Sequence, residues 1–331
     1  MISKRFCIAL FCVLAVIFTG CTQVSSGDKA PAAEKPAAKQ ETAPPAADGK
    51  TPKQESTTPA ADAKTTTQET SKPPADAKSS KPALPYVIAA DDFSNLQLSD
   101  ASQPVYDAHT LSERIRLGLP VALPALSPYH GPKTAYLTFD DGPDDEVTPA
   151  ILDILAENGV KATFYVTGLH AAAYPDTIRR IVADGHAVGN HSYDHDYDRL
   201  YASTDDFLYE MEQTDEILHG ILGFRPLILR APGGASSHFT DAYEACLKEN
   251  GYVEHDWNSS AADTAPGNPT AQDFIDNISS QTSDGKESAI ILMHSSSGHQ
   301  ETARALPEII RVLREYGYQF GVVTPMTPQP W

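Results

Sequence analysis

From residue 133 onward, short apolar runs alternate with longer segments in which apolar residues recur every three or four positions. The runs at 135–139, 162–166, 187–189, 227–230, 253–257, 289–293 and 320–324 read as strands. Between most of them lie helical patterns. Val147, Ile151, Ile154 and Leu155 share one face of a helix opened by Thr148-Pro149 and closed by Gly159. Phe207, Met211, Leu218 and Ile221 form a second stripe, and Leu306, Ile309, Ile310 and Leu313 a third, closed by Gly317. Shorter helices are expected at 111–117 and 242–250. Seven strands with intervening helices predict an α/β architecture, a mostly parallel sheet either open or closed into a barrel.

The first 85 residues carry no such pattern. Lys4 and Arg5 precede a 14-residue apolar run, Phe6 to Thr19, too short for the ~20 residues of a comfortable membrane span. A basic start and a short apolar core describe an export signal. The run ends in Phe18-Thr19-Gly20-Cys21, which resembles a bacterial lipobox and implies lipidation of Cys21. Residues 22–85 repeat every 14 positions, with Pro31, Pro45, Pro59 and Pro73 in register. This Ala-, Pro-, Lys- and Thr-rich stretch has hardly a large apolar residue. It cannot offset its chain entropy by burial, so a disordered, semi-extended linker is expected. Residues 86–130 read as an extension packed on a domain at 131–331. With Cys7 and Cys12 in the signal and Cys21 lipidated, Cys246 alone remains, which leaves no intrachain disulfide to form. Cys246 is expected to be buried and chemically idle.

Charge narrows the partners. Residues 86–331 hold 14 Lys and Arg against 36 Asp and Glu, a formal charge of −22, which excludes nucleic acid as a natural ligand. The unusual polar clusters then fall at the C-terminal ends of the expected strands: Asp140-Asp141, His191 to His195, Arg230, Asp256 to Asp263, and His294. In α/β barrels that rim carries the chemistry. His191 and His195 are four apart, so on a helical turn both imidazoles would leave one face. Two His and a carboxylate, for which Asp141 is the best candidate, leave coordination positions open, as a hydrolytic metal site requires. Neighbours on an extended chain point opposite ways, so Asp140 and Asp141 need not serve one centre. Each single residue also has a plainer reading: Arg230 as a structural ion pair, Trp257 as core, His294 as a satisfied core histidine.

Five stretches carry a resemblance. Thr138-Phe139-Asp140-Asp141-Gly142-Pro143, His191-Ser192-Tyr193-Asp194-His195, Arg230-Ala231-Pro232-Gly233-Gly234, Asp256-Trp257-Asn258 through Asp263, and Leu292-Met293-His294 resemble the ordered motifs of the NodB-homology polysaccharide deacetylases, carbohydrate esterase family 4. The likeness covers 133–324 and implies a distorted (β/α) barrel. It implies that Asp141, His191 and His195 hold one divalent metal, usually Zn2+, with Co2+, Ni2+ or Mn2+ as alternatives. Asp140 would take a proton from the metal-activated water, and the backbone N–H of Gly233 would stabilise the oxyanion. His294 would protonate the leaving amine, Arg230 would orient Asp140, and Asp263 would keep His294 protonated. Trp257 and Leu292 would wall the acetyl pocket. No role is expected for His170, His219, His238, His255 or His299, and His186 is expected to be structural.

Two positions depart from the family pattern. Gly233-Gly234 stands where many members have an aromatic residue, so a stacking surface for the sugar is expected to be missing. Ser295 stands where an acid is common. The expected substrate is an N-acetylated polysaccharide of the cell envelope, N-acetylglucosamine of peptidoglycan first. Poly-N-acetylglucosamine, chitin-type oligomers and N-acetylmuramic acid are the alternatives. A monomer, exported and held at the outer face of a bacterial membrane through lipid on Cys21, completes the expectation. A non-catalytic glycan-binding lipoprotein would instead have lost Asp140 or His294, and a purely structural one would bind no metal tightly.

Overall fold

The computed structural model describes residues 84–330; the signal, Cys21 and the linker through residue 83 lie outside the described residues. Its strands are β1 (Val87–Ile88), β2 (Val105–Asp107), β3 (Thr134–Asp140), β4 (Thr163–Val166), β5 (Ala187–Asn190) and β6 (Arg225–Pro226). The chain continues through β7 (Ile228–Leu229), β8 (Val253–Glu254), β9 (Ser259–Ser260), β10 (Ser288–His294) and β11 (Gln319–Gly321). Its helices are α1 (Leu111–Leu117), α2 (Val147–Asn158), α3 (Gly168–Ala173), α4 (Pro175–Ala183) and α5 (Tyr197–Leu200). They are followed by α6 (Thr204–Leu222), α7 (Ala235–His238), α8 (Asp241–Glu249), α9 (Ala271–Thr282) and α10 (Gln300–Glu315).

The main sheet runs β8-β7-β5-β4-β3-β10-β9, every pairing parallel, with β11 on the early half of β3 and β4 on its late half. This is the expected distorted (β/α) barrel. Alternation along β3 and β10 makes its two layers. Ala135, Leu137, Phe139, Ile291 and Met293 face outward into the helix-covered core, whereas Tyr136 and Ile290 face inward with Tyr165, Ile228 and Val323. The same alternation brings Thr138, Asp140, Leu292 and His294 to the inner face at the top. Strands β8 and β9 are not paired with each other. The C-terminal segment bridges that seam: His255 donates to Thr327 O at 3.2 Å, Gln329 to Glu254 O at 2.9 Å and Asn258 to Pro330 O at 3.4 Å.

Several boundaries differ from the sequence expectation. The run at 253–257 is a strand only through Glu254, because Asp256 turns aside to accept from the N–H groups of Ala235 and Ser236 at 2.9 and 3.1 Å. The final strand is Gln319–Gly321 rather than 320–324, and β9, a Ser-Ser pair without an apolar signature, was not foreseen. The segment before Ile228 is divided, with β6 leaving the barrel to pair antiparallel with β2. Cys246 lies in α8 as expected but is half-buried, and burial raises its thiol pKa.

Residues 86–130 join the rest through buried charge as well as apolar contact. Asp107 pairs with Arg114 at 2.5 Å and with Arg225 at 3.2 Å, and Arg225 reaches Asp215 at 3.1 Å. All four side chains are almost fully buried. Charges so placed persist only when paired, since breaking such a pair strands the other partner out of water.

Candidate active site

The centre is assembled from the ends of β3, β5, β7 and β10. Asp141 follows the last residue of β3 and has φ 69; Ser192 and His195 beyond β5 have φ 65 and 63. These are left-handed conformations that a side chain resists, each costing of order 1 kcal/mol. They correct the helical turn expected for His191 to His195, which is an irregular loop. Loop and strand end are held from several sides. Thr214 on α6 donates to Ser192 O at 2.8 Å, Glu210 accepts from Tyr193 N at 3.1 Å, and Ser192 Oγ accepts from His195 N at 3.1 Å. His170 Nδ1 donates to the carbonyl of Asp141. A role for His170 was not expected, and nothing local in the sequence marks it.

So held, Asp141, His191 and His195 bring their ligand atoms within 4.8 Å of one another. Asp141 Oδ1 lies 3.4 Å from His191 Nε2 and 3.6 Å from His195 Nε2. Neither approach has hydrogen-bond geometry, and Oδ1 is buried without a partner. Buried carboxylate oxygens are otherwise almost always satisfied, so this one fits a cation. His191 Nδ1 donates to Arg230 O at 2.8 Å, which fixes the tautomer that turns a lone pair on Nε2 toward Asp141. Burial lowers the His191 pKa, but the carboxylates of Asp140 and Asp141 outweigh it and the net direction is up. The carboxylates that attract a proton there would attract a divalent metal more strongly. Burial and the neighbouring His191 lower His195, which favours the neutral, ligating form. For Asp141, burial raises the pKa, and the three histidines His191, His294 and His195 more than reverse it.

Asp140 is buried beside this triad, its Oδ2 3.8 Å from His191 Nε2. Its Oδ1 accepts from Arg230 Nη1 at 2.9 Å. Arg230 is itself fully buried and spends its other donors on Thr138 Oγ1 at 2.7 Å, His255 O at 2.9 Å and Asp256 O at 3.2 Å. Its Cζ stands over the Tyr165 ring, 4.3 Å from the centroid. Across the cleft, His294 Nε2 points toward Asp141 Oδ2 at 3.9 Å, while its Nδ1 donates to Asp263 Oδ1 at 2.9 Å. Asp263 Oδ2 accepts from the backbone N of His294 at 2.7 Å and from Thr302 at 3.0 Å. Burial lowers the His294 pKa, but Asp263, then Asp140 and Asp141, carry it up to about 9. His299 stacks on His294 with centroids 5.1 Å apart and planes at 23°. Near-parallel imidazoles direct their lone pairs side by side, so this pair serves as packing rather than as a second metal site.

Gly233 and Gly234, with φ 74 and 88, turn the chain after β7. The Gly234 N–H donates to Ala231 O at 2.9 Å; among the described residues that of Gly233 has no such partner. Trp257 lies against Gly234, its ring edge 3.1 Å from where a Cβ would stand, and Leu292 is inward on β10 below His294. The structure thus brings every sequence-derived candidate in residues 84–330 to one rim. Ser295 packs on Gly142: its Oγ lies 2.5 Å from where a Cβ on that residue would stand, so a side chain at 142 would not fit beside it. Outside the rim, His186 Nδ1 accepts from Ala162 N at 3.1 Å and burial holds its pKa at about 3, a structural histidine.

Comparison with known proteins agrees with this geometry. Residues 128–254 match the family model described as polysaccharide deacetylase. A peptidoglycan-N-acetylglucosamine deacetylase of Bacillus cereus is 32% identical over 192 residues, covering 57% of this chain and 68% of that one. A chitin deacetylase of Colletotrichum lindemuthianum is 34% identical over 241 residues, covering 69% and 92%. Among solved structures, the catalytic domain of a peptidoglycan N-acetylglucosamine deacetylase from Eubacterium rectale superposes with a TM-score of 0.56 at 29% identity, covering 62% of this chain and 95% of that one. With its five motifs on one rim and relatives matched over two thirds or more of their length, the chain belongs to the NodB-homology polysaccharide deacetylases, carbohydrate esterase family 4.

Proposed function

We propose that the protein removes acetyl groups from N-acetylglucosamine of peptidoglycan in a metal-dependent hydrolysis, acting from the outer face of the membrane through lipid on Cys21. The observation that carries the metal is the partnerless buried Asp141 Oδ1 between two histidine nitrogens. A divalent cation there, most simply Zn2+, supplies a Lewis acid that makes water acidic near neutral pH. Asp140 accepts the proton of the attacking water; Arg230 holds its other oxygen and keeps the carboxylate aimed. As the water oxygen bonds to the acetamide carbon, the Gly233 N–H donates to the carbonyl oxygen that gains charge. His294 gives the proton from Nε2 to the nitrogen as the C–N bond breaks, releasing acetate and a glucosamine. Asp263 keeps that proton on His294 until it is needed.

The peptidoglycan assignment rests on the activities of the relatives and on the expected envelope location. The test uses the full chain: metal content, then acetate release from peptidoglycan, N-acetylglucosamine oligomers and N-acetylmuramic acid-containing fragments, with Asp140→Asn as control. Bound metal without acetate from any glycan would remove the enzymatic reading. Acetate release undiminished in Asp140→Asn would remove the mechanism. Release from chitin-type oligomers alone would move the substrate and leave the chemistry in place.

A further inference from the structure

The space above Gly233 is filled, although no side chain of its own fills it. A Cβ on Gly233 would stand 2.9 Å from both Cε1 and Oη of Tyr197 and 3.0 Å from His238 Nε2. Tyr197 comes from the loop after the neighbouring strand β5, two residues past His195, whose ring it meets edge-on with centroids 5.1 Å apart. It is 42% exposed, a high value for an aromatic side chain at a buried polar centre. What lies behind it is stiff. Tyr201 and His238 stack at 4.2 Å with planes at 8°, and Tyr201 Oη donates to Pro232 O at 2.6 Å. Tyr197 leans on both, with ring centroids 6.1 and 5.6 Å away. Asp196 caps the turn it opens by accepting from the N–H groups of Asp198 and Arg199.

Apart from Trp257 against Gly234 and Leu292 below His294, the cleft rim is carboxylate, imidazole and backbone. Among such groups an exposed, braced aromatic ring next to the free Gly233 N–H offers what the apolar C–H face of a pyranose stacks against. We propose that Tyr197 is the sugar-contacting residue of this cleft: its ring stands where a side chain on residue 233 would stand and seats the sugar whose acetamide enters beside Gly233. It determines substrate affinity and takes no part in proton transfer. This rests on the deacetylase reading above, and Gly233 then marks a relocated stacking surface rather than a lost one.

The test compares the full metal-loaded chain with Tyr197→Ala and Tyr197→Phe. Acetate release is followed on an N-acetylglucosamine pentamer and on 4-nitrophenyl acetate, an acetyl ester with no sugar, with zinc content measured throughout. Tyr197→Ala is expected to raise KM for the pentamer about tenfold while kcat changes little. The ester rate and the zinc content should not move, and Tyr197→Phe should behave as wild type. An unchanged pentamer KM in Tyr197→Ala overturns the proposal. So does equal damage in Tyr197→Phe, which would assign the effect to the hydroxyl. Loss on both substrates, or loss of zinc, would show instead that the ring merely supports His195. A wild-type chain that releases no acetate from any glycan defeats the reading of the site itself, and this proposal with it.

Discussion

Replacing Asp263 by Asn tests how the proposed acid is held. His294 is carried from an ordinary 6.5 up to about 9, and the side chain of Asp263, 1% exposed and 2.9 Å from Nδ1, is the largest raising influence. A rise of that size corresponds to ~3 kcal/mol of preference for the protonated imidazole. In Asp263→Asn the burial that lowers the pKa remains and opposes the charges of Asp140 and Asp141, while the largest raising influence is gone, so the His294 pKa falls toward 6.5. Because His294 acts protonated, activity is lost as pH rises through its pKa. The alkaline limb should therefore lie toward 9 in wild type and near 6.5 in the variant. At pH 8 the protonated fraction drops about thirtyfold, whereas at pH 5.5 the two proteins differ through this cause by less than about twofold. A bound divalent cation lowers both limbs and leaves their separation. An Asn amide that turns its N–H toward Nδ1 favours the neutral tautomer with its proton on Nε2, which lowers the pKa further. The same coupling stabilises the fold. A folded-state pKa raised above 6.5 contributes fully below 6.5 and is lost as pH rises through about 9, so the stability gap between wild type and variant should narrow across that window. The assay is the pH profile of acetate release from an N-acetylglucosamine oligomer, with denaturant melts at pH 6 and 9.5. An alkaline limb that stays put in Asp263→Asn refutes the reasoning.

Chelation should lower the melting temperature. A cation present at a thousandfold over its Kd adds ~4 kcal/mol, which for a domain of this size is about 10 °C by calorimetry. Asp141→Asn should abolish tight metal binding by elemental analysis, because it removes the negative charge that faces both histidines. Arg230→Met leaves Asp140 buried and unpaired, so urea melts should show a loss of about 3–5 kcal/mol; Arg230→Lys cannot serve four acceptors and should fall at least about a hundredfold in kcat. Arg225→Met strands Asp215, while Asp107 keeps Arg114, with a similar stability loss. Since Asp215 also accepts from Asn190 at 2.7 Å, and Asn190 Oδ1 accepts from Ser192 N at 3.0 Å, metal affinity should weaken in a competition titration as well.

What the sequence made legible was local. An apolar run of period two that ends in a polar residue places Asp140 and His294 at a strand end, and both β3 and β10 are long enough to show it. The spacing of His191 and His195 was read correctly as a pair and wrongly as a helix. Four residues separate them either way, and the positive φ values that turn the loop leave no trace in residue type. Long-range contacts were silent for a different reason. Asp263 could be assigned to His294 only by resemblance, and the buried chain Asp107–Arg225–Asp215 joins residues more than a hundred positions apart.

Gly233 shows the limit most clearly. Read along the chain, a glycine where an aromatic residue is common means a missing surface. Read in space, φ 74 and the 2.9 Å approach of Tyr197 make glycine a requirement at that position, because a ring from another segment already stands there. A motif records which side chain a position carries, whereas a substrate meets whichever side chain fills the volume. The two coincide only when the backbone around the motif is the common one. Here Asp196 caps a short turn after His195 that sets Tyr197 over Gly233, on the neighbouring strand end. Restoring a side chain at residue 233 without removing Tyr197 should therefore damage the site: Gly233→Ala alone should lower acetate release by more than the strain of one left-handed alanine explains, and Tyr197→Ala should recover part of that excess. Strictly additive losses in the double variant would mean that the two positions do not share one space.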